Sequence, residues 1–513
     1  MIRMAEVLGG LTLAADVASA NQPEKALRTA ILAIELGRRH GIAESDLRDA
    51  FYVNLLRYLG CVGFAHEEAH VYGAGDDIGT RYIMGMADAG DAFGTVRRIV
   101  GRLGAGGSVG DRVRAVARIL GDGVAVKNHS AAQCDTSIKF ATMAHMSERV
   151  TSALGFITAR WDGKGVPAEA EGTAIPIAMR LHHVADIVEI AYHRAGRTSA
   201  KELAKKRSGG AMDPSLVATF LAHADELLDL IADASVWDRF VATEPRPHLE
   251  ITAAALDDVT RAFAYMADLK STFTLGHSLA VAELATRAAT ACELPAAEIT
   301  DLRRAAWLHD IGRVSVSNSV WDKPGKLSAA EWERVRLHAY WTERALYQAR
   351  PLRPIAQLAA GSHERADGSG YHRALPGAVL AKASRILGAA DAYHAMREPR
   401  PHRPALSADA AARELRAEVE AGRLDRETCG AVLDAAGVAS TRLPSWPAQL
   451  TDREVEVLRL VARGNSNKQI GARLGISPRT VQHHVAHVYS KIGVGSRAGA
   501  AIFATEHGLL DLP

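Results

Sequence analysis

The stretch AWLHDIGRVS, residues 306–315, places His309 and Asp310 side by side within an apolar run. A His-Asp pair alone is usually structural, so its meaning depends on the other potential metal ligands in the chain. Such residues lie on both sides, in stretches of helical or helix-edge character: His277, His338, His363 and Asp391. Imidazole and carboxylate groups that converge from several helices can hold divalent ions, which lower the pKa of bound water and polarise a phosphoryl oxygen. The set therefore predicts a site that hydrolyses phosphate esters.

These residues, in this order, resemble the HD-GYP phosphohydrolases of the HD superfamily over about residues 254–407. The stretches KPGKLSAAEW (323–332) and HERADGSGY (363–371) are further landmarks of that family. The resemblance implies a helical fold, bound divalent ions and a substrate that is cyclic di-GMP or a related cyclic or linear dinucleotide. By the same resemblance, the metal ligands are His277, His309, Asp310, His338, His363 and Asp391.

The resemblance also assigns side chains to catalysis and to substrate binding. The segment REPRPHR (397–403) falls where family members hold substrate phosphates, and planar guanidinium groups suit that task. The aromatic residue and the glycine of the second landmark would border the base or a phosphate. The expected catalytic residues are Asp310 and Arg313, and the expected substrate-binding residues are Arg400, Arg403, Tyr371 and Gly370.

The chain departs from the family pattern at several positions. Ser362 stands where the family usually has the first of two adjacent histidines, and Phe273 stands where some members have a glutamate. Arg313 replaces the usual lysine, and His372 replaces the proline of the G-Y-P signature. We therefore expect at most two metal ions, with iron or manganese favoured. Slow hydrolysis, nucleotide sensing without turnover and a purely structural relic are all compatible with these residues.

The N-terminal half contains a hidden repeat of the same region. NLLRYLGCVG (54–63) aligns without a gap with the stretch around the His-Asp pair, so that Arg57 and Tyr58 occupy the positions of the pair. TARWDGKGVP (158–167) aligns with the second landmark and has Thr158 at the histidine position. We infer two tandem units, of which the first lacks these ligands.

The spacing of the motifs supports the repeat. In the first unit 24 residues separate Asp162 from Asp186 (186 − 162), and in the second unit 24 separate Asp367 from Asp391 (391 − 367). Asp186 is thus the one metal-ligand position that survives in the first unit. That unit cannot assemble the metal site, and a role in dimerisation or sensing is favoured for it.

The last 60 or so residues carry a different signal, which follows a Pro-bearing segment that reads as a linker. Thr451 and Glu454 form a predicted capping box, and Gly464 ends the helix that they begin. A short helix is expected over about residues 467–474, and Ser477 is expected to cap a third helix whose first residue is proline. A helix, a tight turn and a second helix form the common DNA-reading unit.

The third helix has an apolar stripe of Val481, Val485, Val488 and Ile492, which leaves its other faces free to enter a major groove. The segment closely resembles the LuxR-type helix-turn-helix domain. Such domains typically bind DNA as dimers, so the resemblance implies a homodimer. The expected DNA-binding residues are Arg479, Thr480, Gln482, His483, Ala486, His487, Lys491 and Arg497.

Composition limits the alternatives. The chain of 513 residues is 48% hydrophobic and 23% charged with few strand signals, which predicts an all-α protein. A net charge of +2 excludes a polybasic nucleic-acid coat, and the four scattered cysteines indicate a reducing, cytoplasmic compartment without zinc fingers. No apolar run is long enough for a membrane span. HEEAH (66–70) matches a zinc-protease motif, but it lacks a downstream ligand in the expected context.

We therefore predict an all-α fold with two tandem HD-domain-like units followed by a small helix-turn-helix bundle. The expected domains are a degenerate HD-GYP-like unit over 1–250, a second unit with most metal ligands over 251–437, a linker over 438–449 and the LuxR-type domain over 450–513. The favoured function is a cytoplasmic bacterial transcription regulator that senses or slowly hydrolyses a nucleotide. The alternatives are a cyclic-di-GMP-type phosphodiesterase with a DNA-binding tail, and a DNA-binding regulator whose HD units only dimerise.

Overall fold

Helices form nearly all of the regular structure in the described residues of this computed structural model. The structure describes residues 2–18, 22–62, 77–78, 81, 123–167, 170–233, 235–437 and 446–510. The chain divides into an N-terminal unit, Met1–Leu256, and a C-terminal unit, Asp257–Pro513. The all-α fold class predicted from the composition and the repeat is confirmed.

The N-terminal unit is built around three helices that pack against one another, α2, α3 and α7. A two-residue strand near each end of the unit, β1 (Ile2–Arg3) and β2 (Glu250–Ile251), pairs antiparallel and joins those ends. Among its described residues the helices are α1 (Met4–Ala18), α2 (Lys25–His40), α3 (Glu44–Leu56), α4 (Leu59–Val62), α5 (Gly123–Met143), α6 (Glu148–Ala153), α7 (Ile177–Arg207), α8 (Pro214–Ala222), α9 (Ala224–Asp229) and α10 (Trp237–Thr243).

The C-terminal unit begins inside helix α11 (Ala253–Asp268) and contains the remaining helices. Helices α12, α13, α15, α16 and α17 pack together, and the predicted metal ligands lie on them or on the turns that directly follow α13 and α16. The helices that precede the linker are α12 (His277–Ala291), α13 (Ala296–Leu308), α14 (Asn318–Trp321), α15 (Ala329–Gln348), α16 (Arg353–Ala360), α17 (Lys382–Arg397), α18 (Ala408–Glu420) and α19 (Arg426–Ala436).

Glycine at one position allows the His-Asp stretch to lie against α15. A Cβ atom on Gly312 would come within 2.0 Å of the carbonyl oxygen of His338, so no larger residue fits there. The backbone N–H of Gly312 donates to Thr342 Oγ1 at 3.0 Å, and that hydroxyl donates to the carbonyl oxygen of His309 at 3.0 Å. This close contact fixes the His-Asp pair relative to α15.

The C-terminal bundle has four helices, α20 (Asp452–Ala462), α21 (Asn467–Leu474), α22 (Pro478–Ile492) and α23 (Arg497–Glu506). The predicted capping box is present, because Glu454 N donates to Thr451 Oγ1 at 3.2 Å and Thr451 N donates to Glu454 Oε2 at 2.8 Å. Ser477 caps α22 as expected, and Gly475 ends α21 with a φ of 67°. A glycine adopts this left-handed conformation without the steric cost of a Cβ atom.

Several predictions concern residues that the structure does not describe. The motif at 66–70 and residues 438–445 of the linker lie outside the described ranges. The last linker residues, Pro447–Gln449, form one turn of 3-10 helix. Among the described helices, none combines the length and the apolar character that crossing a membrane requires.

Candidate metal centre

Five separate segments bring the six predicted ligands of the C-terminal unit together. His277 is the first residue of α12, His309 and Asp310 follow the last residue of α13, and His338 lies within α15. A 3-10 turn, Gly361–His363, provides His363, and α17 provides Asp391. All six side chains are buried, with at most 8% of any residue exposed. Residues that lie far apart in the sequence therefore come together at one buried site.

The carboxylate of Asp310 lies between two groups of imidazoles. Its Oδ2 atom is 3.7 Å from His277 Nε2 and 3.6 Å from His309 Nε2. Its Oδ1 atom is 3.3 Å from His338 Nε2 and 3.4 Å from His363 Nε2. The ligand atoms of each group lie within 4.8 Å of one another. A carboxylate with one oxygen toward each group suits a bridge between two ions.

The carboxylate of Asp391 spans the same two groups. Its Oδ1 atom is 3.1 Å from His277 Nε2 and 3.7 Å from His309 Nε2, whereas its Oδ2 atom is 3.4 Å from His363 Nδ1. The donor set thus combines four imidazoles with two carboxylates. Such a mixed nitrogen and oxygen set suits iron, manganese and zinc.

The tautomers of two histidines fit metal binding. His309 Nδ1 donates a hydrogen bond to the carbonyl oxygen of Ala306 at 2.7 Å, and His338 Nδ1 similarly donates to the carbonyl oxygen of Val335. The Nε2 atom of each ring then carries the lone pair. His309 Nε2 is buried and has no hydrogen-bond partner among the described residues. A buried polar atom left unpaired is costly, and a metal ion would satisfy it.

The electrostatics of the site favour a cation. Burial alone would lower the pKa of His277, but the carboxylates of Glu398 and Asp391 outweigh burial and raise this pKa to about 10. Burial and the neighbouring His338 lower the pKa of His363 to about 4, so its imidazole is neutral and able to ligate. Despite burial, Arg313 and His309 hold the pKa of Asp310 well below its ordinary value. Despite burial, hydrogen bonding from His277 and His309 likewise holds the pKa of Asp391 well below its ordinary value, so both aspartates are charged at neutral pH.

Two further residues, Glu398 and His394, belong to the site and were missed from the sequence. Glu398 Oε2 lies 3.0 Å from His277 Nδ1, and Glu398 Oε1 lies 3.2 Å from His394 Nδ1. Glu398 thereby orients the ring whose Nε2 faces Asp391. Glu398 lies seven residues after Asp391 (398 − 391) and directly follows the last residue of α17, but no local pattern links it to His277.

The predicted substrate residues lie in different environments. Arg400 donates to Glu398 Oε2 at 2.7 Å and to the carbonyl oxygen of Phe273 at 3.0 Å, so it is tied to the metal-ligand network. Arg403 instead donates to backbone carbonyls near the end of α17, at Ala395 (2.7 Å) among others. This geometry gives Arg403 a structural task, and its contact with substrate stays a prediction.

Tyr371 and Gly370 lie on the side of the site that contains His338 and His363. The ring of Tyr371 stacks on His363 with centroids 4.9 Å apart and an angle of 18° between the planes, and it meets His338 edge-on at 5.7 Å. A Cβ atom on Gly370 would come within 2.5 Å of Glu364 Cα, so this glycine is required by packing. The segment HERADGSGY (363–371) therefore packs against the imidazole rings of His338 and His363 through Tyr371.

Arg313 and Ser362 are two departures from the family pattern, and each makes a defined hydrogen bond. Arg313 donates to Asp310 Oδ2 at 2.7 Å, and its guanidinium lies 4.1 Å from the centre of the Trp321 ring. It therefore keeps a positive charge beside the carboxylate of Asp310. Ser362 is fully buried and donates to the carbonyl oxygen of Ala359 at 2.9 Å. Its hydroxyl is therefore hydrogen-bonded to the last turn of α16.

In the N-terminal unit a lysine takes the position of the first ligand. Lys25 is the first residue of α2, as His277 is the first residue of α12, and its buried ammonium contacts both Asp186 and Tyr58. The offset to the altered His-Asp pair is the same, since 32 residues separate Lys25 from Arg57 (57 − 25) and His277 from His309 (309 − 277). Extending the alignment by this offset would have found Lys25.

The comparison extends to a second buried carboxylate in each unit. Asp16 accepts from the backbone N–H of Ala26 at 3.2 Å, and Asp268 accepts from the backbone N–H of Ser278 at 2.9 Å. Each aspartate precedes the first residue of its helix by nine residues (25 − 16 and 277 − 268). A fixed ammonium therefore lies in the first unit where the second unit has His277, a predicted metal ligand.

The predicted DNA-reading face of α22 is exposed. Val481, Val488 and Ile492 are buried as the stripe requires, and Val485 is half-buried. Thr480 Oγ1 contacts the cap hydroxyl of Ser477 at 2.8 Å. The exposed side chains on this helix include Arg479, Gln482, His483, Ala486 and His487.

Two of the predicted DNA-binding residues, which would contact phosphates through their positive charge, make hydrogen bonds within the bundle. Lys491 Nζ donates to Glu454 Oε2 at 2.7 Å, and Arg497 donates to the carbonyl oxygens of Val461 (3.1 Å) and Asn465 (2.7 Å). These bonds hold α20 against α22 and α23. Phosphate contact by either residue stays a prediction.

Comparisons with known proteins agree with this architecture. The HD domain family model matches residues 261–428, and the model of bacterial regulatory proteins of the luxR family matches residues 448–504. A 3'3'-cGAMP-specific phosphodiesterase 3 of Vibrio cholerae is 31% identical over 413 residues, which cover 80% of this chain and 89% of the relative. A cyclic di-GMP phosphodiesterase of Pseudomonas aeruginosa is 29% identical over 218 residues, 42% of this chain and 48% of that protein.

A solved structure extends the similarity to the fold. The crystal structure of a cyclic GMP-AMP specific phosphodiesterase of Vibrio cholerae superposes with a TM-score of 0.61 and 27% sequence identity, covering 86% of this chain and 99% of that chain. The chain therefore belongs to the HD-GYP-type branch of the HD-domain family, whose relatives are cyclic dinucleotide phosphodiesterases, and it ends in a DNA-binding domain of the LuxR family.

Proposed function

We propose that the protein is a DNA-binding regulator whose C-terminal unit hydrolyses one phosphodiester bond of a cyclic dinucleotide. The observation that carries the proposal is the pair of ligand groups that share the Asp310 carboxylate. The names of the relatives, which act on 3'3'-cGAMP and on cyclic di-GMP, support this substrate class. The N-terminal unit, with Lys25 in the metal-ligand position, takes no part in the chemistry.

The ligand set would hold up to two ions, with iron or manganese favoured. When bound, such ions lower the pKa of a water ligand and stabilise charge on phosphoryl oxygens. His277, His309 and Asp391 would hold one ion and His338 and His363 the other, with Asp310 between them. The oxygen of water bonds to phosphorus, the bond from phosphorus to the ribose 3′ oxygen breaks, and a proton of the water reaches that leaving oxygen.

Residues around the ligands prepare the site for this step. Arg313 would place a permanent positive charge beside Asp310 and the scissile phosphate, and Tyr371 would hold His363 by ring stacking. Arg400 would offer its guanidinium to the second phosphate from its place beside Glu398. These side chains bind and orient the substrate, and burial of the ligands limits access of bulk water.

The hydrolytic unit would control DNA binding through a homodimer. We propose that the first unit extends over residues 1–250, the second over 251–437 and the linker over 438–449, and that nucleotide binding changes the spacing of the two DNA-reading domains. DNA half-sites lie about one helical turn, 34–36 Å, apart, so a change in domain spacing becomes a change in affinity. Arg479, Gln482, His483, Ala486 and His487 would make the DNA contacts.

Nucleotide sensing without turnover is the second candidate. It is favoured by Ser362, whose hydroxyl is tied to Ala359 and leaves one family ligand missing. In that case the unit would bind metal and nucleotide and release the nucleotide unchanged. Both candidates use the same ligand set, so only a measurement of product distinguishes them.

The test uses full-length protein purified without chelator, with its metal content measured by mass spectrometry. The protein is incubated with manganese or ferrous iron and either cyclic di-GMP or 3'3'-cGAMP, and products are separated by chromatography. We expect a linear dinucleotide that disappears with His309→Ala and Asp310→Ala. His483→Ala, an exposed change on α22, is the control that keeps hydrolysis.

The outcomes separate the candidates. Loss of product in the two ligand variants together with retention in His483→Ala identifies the centre as the catalyst. Metal-loaded protein that binds the nucleotide and leaves it intact overturns hydrolysis in favour of sensing. Protein that retains no metal and binds no nucleotide contradicts both candidates.

A further inference from the structure

One helix carries most of the large hydrophobic side chains that are exposed in the described part of the chain. Four of the five such residues lie on α15, namely Trp332 (46% exposed), Leu337 (46%), Tyr340 (36%) and Tyr347 (57%). Scattered apolar residues on a surface are ordinary, but a cluster along one helix marks an interaction site. The inner face of the same helix holds His338 and Thr342 against the metal centre.

The exposed side chains follow the spacing of paired helices. Residues 333, 337, 340, 344 and 347 recur at intervals of four and three, the heptad pattern that keeps one face toward a partner helix. All five are exposed. We call this set the outer stripe: Glu333, Leu337, Tyr340, Arg344 and Tyr347.

The charges of the outer stripe indicate what its partner is. Glu333 lies toward one end and Arg344 toward the other, with Leu337 and Tyr340 between them. A two-fold axis midway between residues 338 and 339 would place each Glu333 opposite Arg344 of a second copy. Leu337 would then contact Tyr340 of the second copy, and the small side chain of exposed Ala330 would leave space for Tyr347 of the second copy. A parallel arrangement would instead place like charges together.

We propose that the outer stripe of α15 is the surface on which two copies of this chain associate, as an antiparallel pair of helices. A surface that is complementary to itself under a two-fold axis is the requirement of a symmetric dimer. The proposal deepens the proposed homodimer and rests on it, but it does not depend on hydrolysis. The dimer contact and the ligand His338 would then lie on opposite faces of one helix.

The test measures the dimer dissociation constant of full-length protein by analytical ultracentrifugation. Leu337→Glu combined with Tyr340→Glu should raise this constant by about 100-fold, because four buried side chains would become charged. Glu333→Arg alone and Arg344→Glu alone should each raise it by about tenfold, because each places like charges opposite one another. The double reversal, Glu333→Arg with Arg344→Glu, should return it to within about threefold of the wild-type value.

The control is Arg334→Glu, an exposed charge change on the same helix outside the outer stripe. It should leave the dissociation constant unchanged, and thermal unfolding checks that every variant is folded. Restoration by the double reversal is specific for the antiparallel register. A wild-type protein that remains monomeric overturns both the proposed homodimer and this surface. A dimer that is unaffected by the glutamate pair leaves the homodimer intact and overturns this surface.

Discussion

At the scale of single residues, the carboxylate of Glu398 connects two parts of the site. It accepts from the Nδ1 atom of His277 and from the guanidinium of Arg400, so the same group orients a metal ligand and holds a predicted substrate-binding residue. Partners that accept from the distal nitrogen of a ligand histidine fix its tautomer and raise its basicity. We therefore expect Glu398 to act as a positioning residue for metal binding.

Replacing Glu398 with alanine should weaken metal binding without changing any ligand. We expect Glu398→Ala to raise the dissociation constant for Mn²⁺ by about 10- to 100-fold, because His277 loses the acceptor that fixes its ring. Glu398→Gln, which retains an acceptor oxygen, should lose less. Competition with a fluorescent chelator measures the constant, and Glu420→Ala, an exposed change on α18, is the control. Unaltered affinity in Glu398→Ala would contradict the positioning role.

The buried carboxyl of Asp16 makes the stability of the N-terminal unit depend on pH. Burial, only partly offset by Lys25, raises the pKa of Asp16 to about 7. Between about pH 4 and pH 7 the folded protein retains a proton that the unfolded chain has released, so the free energy of unfolding falls as the pH rises through this range. The cost is complete above pH 7.

Asp16→Asn should remove this cost, because the amide oxygen can still accept from Ala26 while carrying no charge. We expect its melting temperature to exceed that of wild type by about 2–6 °C at pH 8 and to match it near pH 4. Differential scanning calorimetry at the two pH values measures this difference, with the exposed Asp434→Asn as control. An equal shift at both pH values would rule out ionisation as the cause.

Single side chains also show where sequence-based prediction reaches its limit. The six ligand candidates could be named because a known family pattern fixes their order, and the structure brings them together. Lys25 was missed because a lysine is not a ligand type, although its offset matched that of His277. Glu398 was missed because its contact with His277 joins positions 121 residues apart, which no local pattern shows.

At the scale of helices, prediction was most successful in the C-terminal bundle. The expected helix over about residues 467–474 is Asn467–Leu474, and the cap at Ser477 begins α22. Capping side chains and terminal glycines act within one turn of chain, so they can be read locally. The roles of Lys491 and Arg497 were less predictable, because their hydrogen bonds are made to other helices.

Helix α22 should contact DNA phosphates through Arg479. Arg479→Ala should weaken binding to a nonspecific duplex and reduce the slope of log affinity against log salt by about 0.9, because one fewer counterion is released. Fluorescence anisotropy at several salt concentrations measures the slope. Arg416→Ala, an exposed change on α18, should leave it unchanged. A slope that is unaltered by Arg479→Ala would remove this residue from the interface.

At the scale of the whole molecule, the two units should respond differently to loss of metal. We expect bound ions to neutralise part of the charge of Asp310 and Asp391 in the C-terminal unit, whereas Lys25 supplies a permanent cation beside Asp186 in the N-terminal unit. Ligand binding at 100 times the dissociation constant stabilises a fold by about 2.7 kcal/mol. Removal of metal should therefore destabilise one unit and leave the other unchanged.

Chelation of the full-length protein should reveal this difference by hydrogen-deuterium exchange. We expect faster exchange in α12, α13, α15 and α17 after EDTA treatment and no change in α2, α3 and α7. The melting temperature of the C-terminal unit should fall by about 5–10 °C. Re-addition of Mn²⁺ should reverse both effects. Equal responses of the two units would show that the N-terminal unit also depends on metal.

The lysine at position 25 also restricts the routes by which the sequence can change. Breaking a buried ion pair by removing one partner costs about 3–5 kcal/mol, and a mutation that removes Lys25 alone would break its buried pair with Asp186 and leave Arg57 as the nearby permanent cation. Restoring a metal site would also require changes at Arg57, Tyr58 and Thr158. We therefore expect selection for folding alone to retain Lys25, and with it the absence of a ligand side chain at this position of the N-terminal unit.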